Sequence, residues 1–236
     1  MKIPILFYHK ISFPKPNAKI RDLYVSPVQF QRQLKYLKWR GYETIRLDDL
    51  FKWLSLGKPL PKRPIILTFD DGYEDNYTYA FPILKKFGFT ATIFLITKDI
   101  GGLSGWADSQ EKIREPILSW EKIKEMADYG IDFQPHTHTH PSLPKLDEQQ
   151  IREEVVVSKE IIEKELQKKA DFLCYPYGHF DSKTEQILRE VGYKGALTTK
   201  RGLVKQNDNP YELHRIGIKD RHGLLTFIQY VELKYR

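Results

Sequence analysis

The chain is short of the residues that would staple, anchor or export it. Its 236 residues include one cysteine, Cys174, so no internal disulfide can form and no cluster of thiolates can hold a structural zinc. Any metal must therefore be taken by nitrogen and oxygen donors. No apolar run approaches the roughly 20 residues that span a bilayer, so no membrane-spanning segment is expected. The amino terminus, Met1 to His9, has only Lys2 ahead of a short apolar run and no small-residue cleavage site behind it. It reads as a buried strand rather than an export signal. A cytoplasmic location is expected for the sequence as it stands, and a cell-envelope or extracellular one if a targeting segment has been removed. Blocks of like charge are also missing. The net charge of +7 comes from lysines scattered beside glutamates, which is a solvated surface, and nucleic acid is not expected as a partner.

With 41% apolar residues the chain can build one sizeable core, and a single domain over 1–236 is expected. Glycines, prolines and cap residues divide it into short apolar runs alternating with longer amphipathic segments, the signature of βα units around a parallel sheet. Ser26-Pro27 is an N-cap followed by proline at the first helical position, and Phe30, Leu34 and Leu37 recur at helical spacing until Gly41. Strands are expected at 64–69, 91–96, 131–134, 172–175 and 195–199. Helices are expected from Asn76 to Phe87, from Ser119 to Gly130, from Asp147 to Lys169 and up to Gly192. The stretch from Gly101 to Pro116 reads as a surface loop, and Trp106 within it belongs either to a groove or to the core.

Three motifs stand at or just after the carboxyl ends of these strands, where parallel α/β folds gather their sites. Thr68-Phe69-Asp70-Asp71-Gly72 puts two adjacent carboxylates before a glycine that permits a sharp turn. Their side chains diverge, so one can bind a cation while the other reaches a water on it. His136-Thr137-His138-Thr139-His140 offers three imidazoles for two places. His136 and His140, four apart, can face one ion, while His138 would face away. With Asp71 they complete a facial set of one carboxylate and two imidazoles. Tyr175-Pro176-Tyr177-Gly178 forms a tight bend whose backbone amides can face outward and stabilise an oxyanion.

Together, and in this order, these motifs resemble those of the NodB-type polysaccharide deacetylases, carbohydrate esterase family 4. The run Ile5 to His9, then Val25-Ser26-Pro27 and Gly41-Tyr42, is similar to the amino-terminal part of the subgroup containing poly-N-acetylglucosamine deacetylases. The resemblance implies a distorted (β/α) barrel of about seven parallel strands, with residues 1–60 as an amino-terminal strand-helix extension packed on it. It implies Asp70 as the base, Asp71, His136 and His140 as ligands of a divalent metal, and the Tyr177 bend as an oxyanion donor. Zinc is the expected metal, with cobalt or nickel as alternatives. His9, at the carboxyl end of the first strand, is expected to face the substrate, although a satisfied core histidine would also fit.

The departures from that family pattern are specific. Many members have an arginine where Cys174 stands and use it to orient the base, which this sequence is expected to be unable to do. No Asp-x-x-Asp-Trp-like segment is visible, and no tryptophan follows Trp120. Leu213-His214 resembles the late Leu-His element, which makes His214 the expected general acid. Leu213-His214-Arg215-Ile216 reads equally well as a strand whose Arg215 is the functional side chain. The expected reaction is hydrolysis of N-acetyl groups on an N-acetylglucosamine-containing polysaccharide or oligosaccharide. Two alternatives keep the barrel: an amidohydrolase acting on a small amide or cyclic imide, suggested by the missing arginine, and a non-catalytic carbohydrate-binding protein.

Overall fold

The computed structural model describes residues 1–16, 18, 20–105, 113–219 and 221–233. In chain order the strands are β1 (Lys2–Ile3), β2 (Ile5–Tyr8), β3 (Glu43–Thr44), β4 (Pro64–Phe69) and β5 (Thr92–Leu95). There follow β6 (Asp132–Pro135), β7 (Phe172–Cys174), β8 (Gly195–Arg201), β9 (Val204–Lys205) and β10 (Leu213–Gly217). The helices are α1 (Pro27–Trp39), α2 (Leu47–Leu56), α3 (Phe81–Phe87), α4 (Trp120–Tyr129), α5 (Glu148–Leu166), α6 (Ser182–Val191) and α7 (Leu224–Ile228). Trp106 lies outside the described residues.

Seven parallel strands form a nearly closed barrel in the order β6-β5-β4-β2-β10-β8-β7, with β3 branching onto β4. This is the expected barrel, but within residues 1–60 the strand β2 belongs to it rather than to an extension packed on it. Strand β2 is a stave in the middle of the sheet, paired from Ile5↔Ile66 to Tyr8↔Phe69 on one side and with β10 on the other. Its Ile5, Leu6 and Tyr8 are fully buried, so removing it would bare two strand edges and the core between them.

Between β6 and β7 the closure changes character, because side chains replace the strand ladder. Gln134 Oε1 accepts from the Phe172 amide at 3.0 Å, and a ring nitrogen of His136 meets the Cys174 carbonyl at 2.7 Å. At the other pole β1 and β9 pair antiparallel, and their Ile3 and Val204 join the interior cluster.

Alternation along each strand sorts side chains into two layers. Ile5, Ile66, Phe94, Phe172, Cys174, Leu197 and Leu213 pack together as the barrel interior. Leu6, Tyr8, Leu67, Phe69, Ile93 and Leu95 point outward and are covered by Phe30, Leu34 and Leu37 of α1 and by Phe81 and Leu84 of α3. Helix α1 begins as its sequence dictates, with the Ser26 hydroxyl accepting from the Gln29 amide at 3.3 Å ahead of Pro27. The segment from Asn76 to Phe87 is not one regular helix. It opens as a wide π-helical turn over Asn76–Ala80 and tightens into α3 at Phe81, beside Pro82, which has no amide hydrogen to give to the preceding turn.

Candidate active site

Two steps up each strand from an interior apolar residue, the same alternation delivers a polar one. Following Ile66 on β4 come Thr68 and then Asp70. Following Leu213 on β10 comes Arg215; Gln134 on β6 leads to His136, and Ile5 and Phe7 on β2 lead to His9. Inner walls that are apolar low in the barrel therefore become ionisable at its carboxyl-terminal end. There they meet a cavity of about 190 Å³ lined by His9, Asp70, Asp71, His136, His140 and Tyr177 among others.

Asp70 is the most firmly held of these groups. Arg215 Nη1 and Nη2 donate to its two carboxylate oxygens at 2.7 and 2.8 Å. Arg215 is fully buried, and each of its nitrogens is engaged: Nε donates to the Thr198 carbonyl at 2.8 Å, Nη1 also to Thr68 Oγ1 at 3.2 Å, and Nη2 to Cys174 Sγ at 3.0 Å. Burial pushes the Asp70 carboxyl up, but the Arg215 charge and its paired hydrogen bonds outweigh that and hold it well below the usual carboxylate range. Burial drives the Cys174 thiol the other way, well above its ordinary value, so it meets the guanidinium as a neutral group.

The expectation that this chain cannot orient its base with an arginine is thus corrected. Arg215 reaches Asp70, the expected base, from β10, and its guanidinium lies against Cys174, the position where many members of the resembling family have an arginine. The departure that pointed towards small cyclic substrates is filled from another strand. His214 is corrected too. It precedes Arg215 on the strand and therefore points the opposite way; it does not line the cavity, and its ring packs over Gly202, where an added Cβ would lie 2.8 Å from Nδ1.

Asp71 follows Asp70 in a left-handed conformation, φ 75°, which turns its carboxylate to the other side of the strand end. Gly72 completes the turn at φ 72°, and a Cβ there would stand 2.8 Å from Leu95 Cδ2. Asp71 Oδ1 lies 3.5 Å from His136 Nε2 and 3.7 Å from His140 Nε2. Donor atoms of the three residues all fall within 4.8 Å of one another.

The donor chemistry fits a divalent cation. A carbonyl can only accept, so His136 carries its proton on Nδ1 towards Cys174, and its Nε2 lone pair is left facing Asp71. Burial lowers both imidazoles, His140 further through its neighbour His136, which keeps them neutral as ligands must be. Burial and the adjacent Asp70 push Asp71 up to about 7, the mark of a carboxylate set in a site whose cationic counter-charge lies elsewhere.

The histidine segment is a loop, not a helical turn. Thr137 and His140 both take positive φ, 66° and 64°, and the His140 amide donates to Thr137 Oγ1 at 3.0 Å. Glu154 of α5 clamps this loop, accepting from the His138 and Thr139 amides at 2.9 and 2.8 Å and from the Thr139 hydroxyl at 2.5 Å. His138 is turned off to Thr97 Oγ1, 2.9 Å from its Nδ1.

Tyr177 stands at the mouth with φ 59° and is 46% exposed, its ring centre 4.7 Å from that of His140. The next residue, Gly178, also has positive φ, and a Cβ there would fall 2.1 Å from Thr199 Oγ1, so the bend admits no side chain. His9 lines the cavity beneath, where burial lowers its imidazole to about 4 against the opposing pull of Asp70.

Sequence reasoning passed over Glu154, Asp75, Asn76 and Lys10. Lys10 is a buried cavity residue whose ammonium sits 4.5 and 4.6 Å from the Tyr24 and Tyr73 ring centres and 3.7 Å from Glu115. Only the adjacency of Asp75 and Asn76 to the double-aspartate motif could have marked them; Glu154 looks like any charged helix residue.

A parallel barrel whose strand ends converge on a braced carboxylate beside a three-residue donor cluster has the layout of a barrel hydrolase. The comparisons with known proteins narrow this further. Residues 57–196 match the family model for polysaccharide deacetylase. The poly-beta-1,6-N-acetyl-D-glucosamine N-deacetylase of Staphylococcus aureus is 30% identical over 220 residues, 89% of this chain and 73% of that one. Among solved structures, the Streptococcus pyogenes deacetylase PplD in complex with acetate superimposes with a TM-score of 0.86 at 31% identity, covering 98% of this chain and 99% of that one. BC0361, a polysaccharide deacetylase from Bacillus cereus, gives 0.83 at 32% identity over 98% of this chain and 69% of that one. The chain belongs to the polysaccharide deacetylase family. No helix among the described residues is long and apolar enough to cross a membrane.

Proposed function

We propose that the protein removes N-acetyl groups from an N-acetylglucosamine-containing polysaccharide or oligosaccharide, using a divalent cation held by Asp71, His136 and His140. The observation that carries this reading is the placement of the arginine-braced Asp70 carboxylate beside that donor cluster on one cavity wall. Zinc suits two imidazoles and one carboxylate, and cobalt or nickel would satisfy the same set. The cation would polarise the acetamide carbonyl and acidify a water.

The chain's own groups carry the protons. Asp70 takes the proton of the attacking water, and Arg215 keeps it ionised and correctly aimed. His9 is the remaining cavity histidine outside the donor cluster, and it supplies the proton that the leaving amine requires. Burial leaves the imidazole neutral at rest, so the proton it hands to the amine is the one Asp70 has taken from the water, and the weak basicity of the ring favours that transfer. The Tyr177 amide, at the mouth, hydrogen-bonds the developing oxyanion. Acetate and a free amino sugar result.

Acetate release from chitooligosaccharides and poly-β-1,6-N-acetylglucosamine tests the reading, with Asp70→Asn as the diagnostic variant. That variant should keep its metal and lose about 10³-fold or more in kcat, because the base is gone while the ligands remain. Near-normal turnover by Asp70→Asn would remove Asp70 from the mechanism. Metal uptake and sugar affinity without acetate from the unsubstituted protein would mean a binding barrel.

A further inference from the structure

The loop that carries His9 away from β2 is held by a pair of side chains that the mechanism above does not use. Asn76 is fully buried, and its Nδ2 donates both hydrogens, one to the His9 carbonyl at 2.9 Å and one to Asp75 Oδ1 at 2.8 Å. Asp75 in turn accepts from the Ile11 amide at 3.0 Å through Oδ1 and from the Ser12 hydroxyl at 2.9 Å through Oδ2. The Asp70 amide holds the Tyr8 carbonyl at 2.9 Å, and Lys10 is fixed by main-chain bonds to Leu23 and Val25. Every residue from Tyr8 to Ser12 is thus pinned, and three of the anchors, Asp70, Asp75 and Asn76, lie in one stretch of seven residues.

We propose that Asp75 and Asn76 are positioning residues for the proton donor, clamping residues 9–12 so that the His9 imidazole stays aimed at the leaving nitrogen. The inference rests on the role given to His9 above. Two features separate it from ordinary loop packing. The Asn76 Oδ1 atom is buried without a hydrogen-bond partner among the described residues, a cost of about 1–3 kcal/mol that the fold accepts to keep the amino group where it is. The Asp75 carboxyl is also disfavoured, since burial pushes it up to about 6. Both costs are borne beside a loop that carries a cavity histidine outside the donor cluster, where a displacement of about 1 Å is worth on the order of 100-fold in rate. The arrangement also ties base, first ligand and proton donor to a single segment, so they keep their spacing when it shifts.

Leaving-group dependence is the test, because a proton donor matters for an amine and little for a phenolate. Asn76→Ala, Asp75→Asn and His9→Ala are assayed on an N-acetylated chitooligosaccharide and on 4-methylumbelliferyl acetate, with zinc affinity measured alongside. His9→Ala and Asn76→Ala should each lose at least about tenfold in kcat on the amide, with KM and aryl-ester turnover within about twofold and zinc affinity within about threefold. Asp75→Asn, which keeps the shape of the clamp, should show a smaller defect with the same selectivity. Should Asn76→Ala prove insoluble, Ser12→Ala removes one bond of the clamp from the loop side and should again affect the amide alone. Equal losses on both substrates, or none, in the clamp variants while His9→Ala is selective would overturn the clamp and leave the role of His9 standing. An unselective His9→Ala would overturn that role, and the clamp with it.

Discussion

Arg215 and Asp70 face each other across the barrel interior from β10 and β4, guanidinium to carboxylate, with paired contacts of 2.7 and 2.8 Å and no exposure of the arginine to solvent. The pair is a buried charge couple whose partners are 145 residues apart in sequence.

Removing one member should therefore be costly in two ways. Arg215→Met should destabilise the fold by about 3–5 kcal/mol in denaturant unfolding, as an uncompensated buried charge does. The Asp70 carboxyl should also rise, and catalysis should fail near neutral pH. Arg215→Lys keeps a charge but loses the paired geometry, and kcat should fall about tenfold or more. His214→Ala, one residue away on the opposite face, should leave kcat within about twofold. A further arm exploits the contact between Arg215 and Cys174: Cys174→Arg added to Arg215→Ala nearly conserves volume and should recover part of the lost activity. An inactive His214→Ala beside a healthy Arg215→Met would reverse the assignment made here.

Glu154 bonds to His138 and Thr139 and so ties down the loop between His136 and His140, the two imidazoles proposed to hold the cation. Glu154→Gln should weaken zinc binding about 10- to 100-fold, the usual price of disturbing groups that orient ligands. Glu153→Gln, on the exposed neighbour, should change nothing. Competition with a fluorescent chelator measures both, and equal affinities for the two variants would show that the loop holds its shape without the clamp.

Zinc affinity should depend on pH through Asp71. With its carboxyl at about 7 in the metal-free protein, the group is protonated below that pH, and the cation must displace the proton. Affinity should thus fall about tenfold for each pH unit below 7 and level off above it, with about one proton released on binding at pH 6 and few at pH 8. Both histidines are shifted downward, so they should add competition only at lower pH. Calorimetry in buffers of different ionisation enthalpy counts the protons. A flat affinity between pH 5.5 and 7 would mean that Asp71 is already ionised there.

How much of this was legible in the sequence depends on which layer of the barrel is asked about. The strand ends could be found because polar residues break apolar runs there, and Asp70, Asp71, His136 and His140 stood out at those breaks. Which neighbour points inward could not. In a parallel barrel both faces of a strand are buried, so the runs through Phe7, Leu67 and Ile216 carry no polar-apolar alternation to set the parity, and His214 and Arg215 look equivalent. The central place of β2 was hidden for a related reason: an apolar run reports burial but not its neighbours in the sheet. The positions of Glu154, Asp75 and Asn76 depend on loops folding back onto them, which no local pattern records.

The bond from His136 to the Cys174 carbonyl lies at the joint between β6 and β7, where strand pairing gives way to side chains. The ring proposed to offer a lone pair to the cation is thus also a rivet between two staves, and its protonation pattern is fixed by that fastening. On the proposed function, widening the joint and losing the ion would be the same event seen from two sides. A substitution that prised β6 from β7, however far from the cavity, would present in solution as a defect in metal retention.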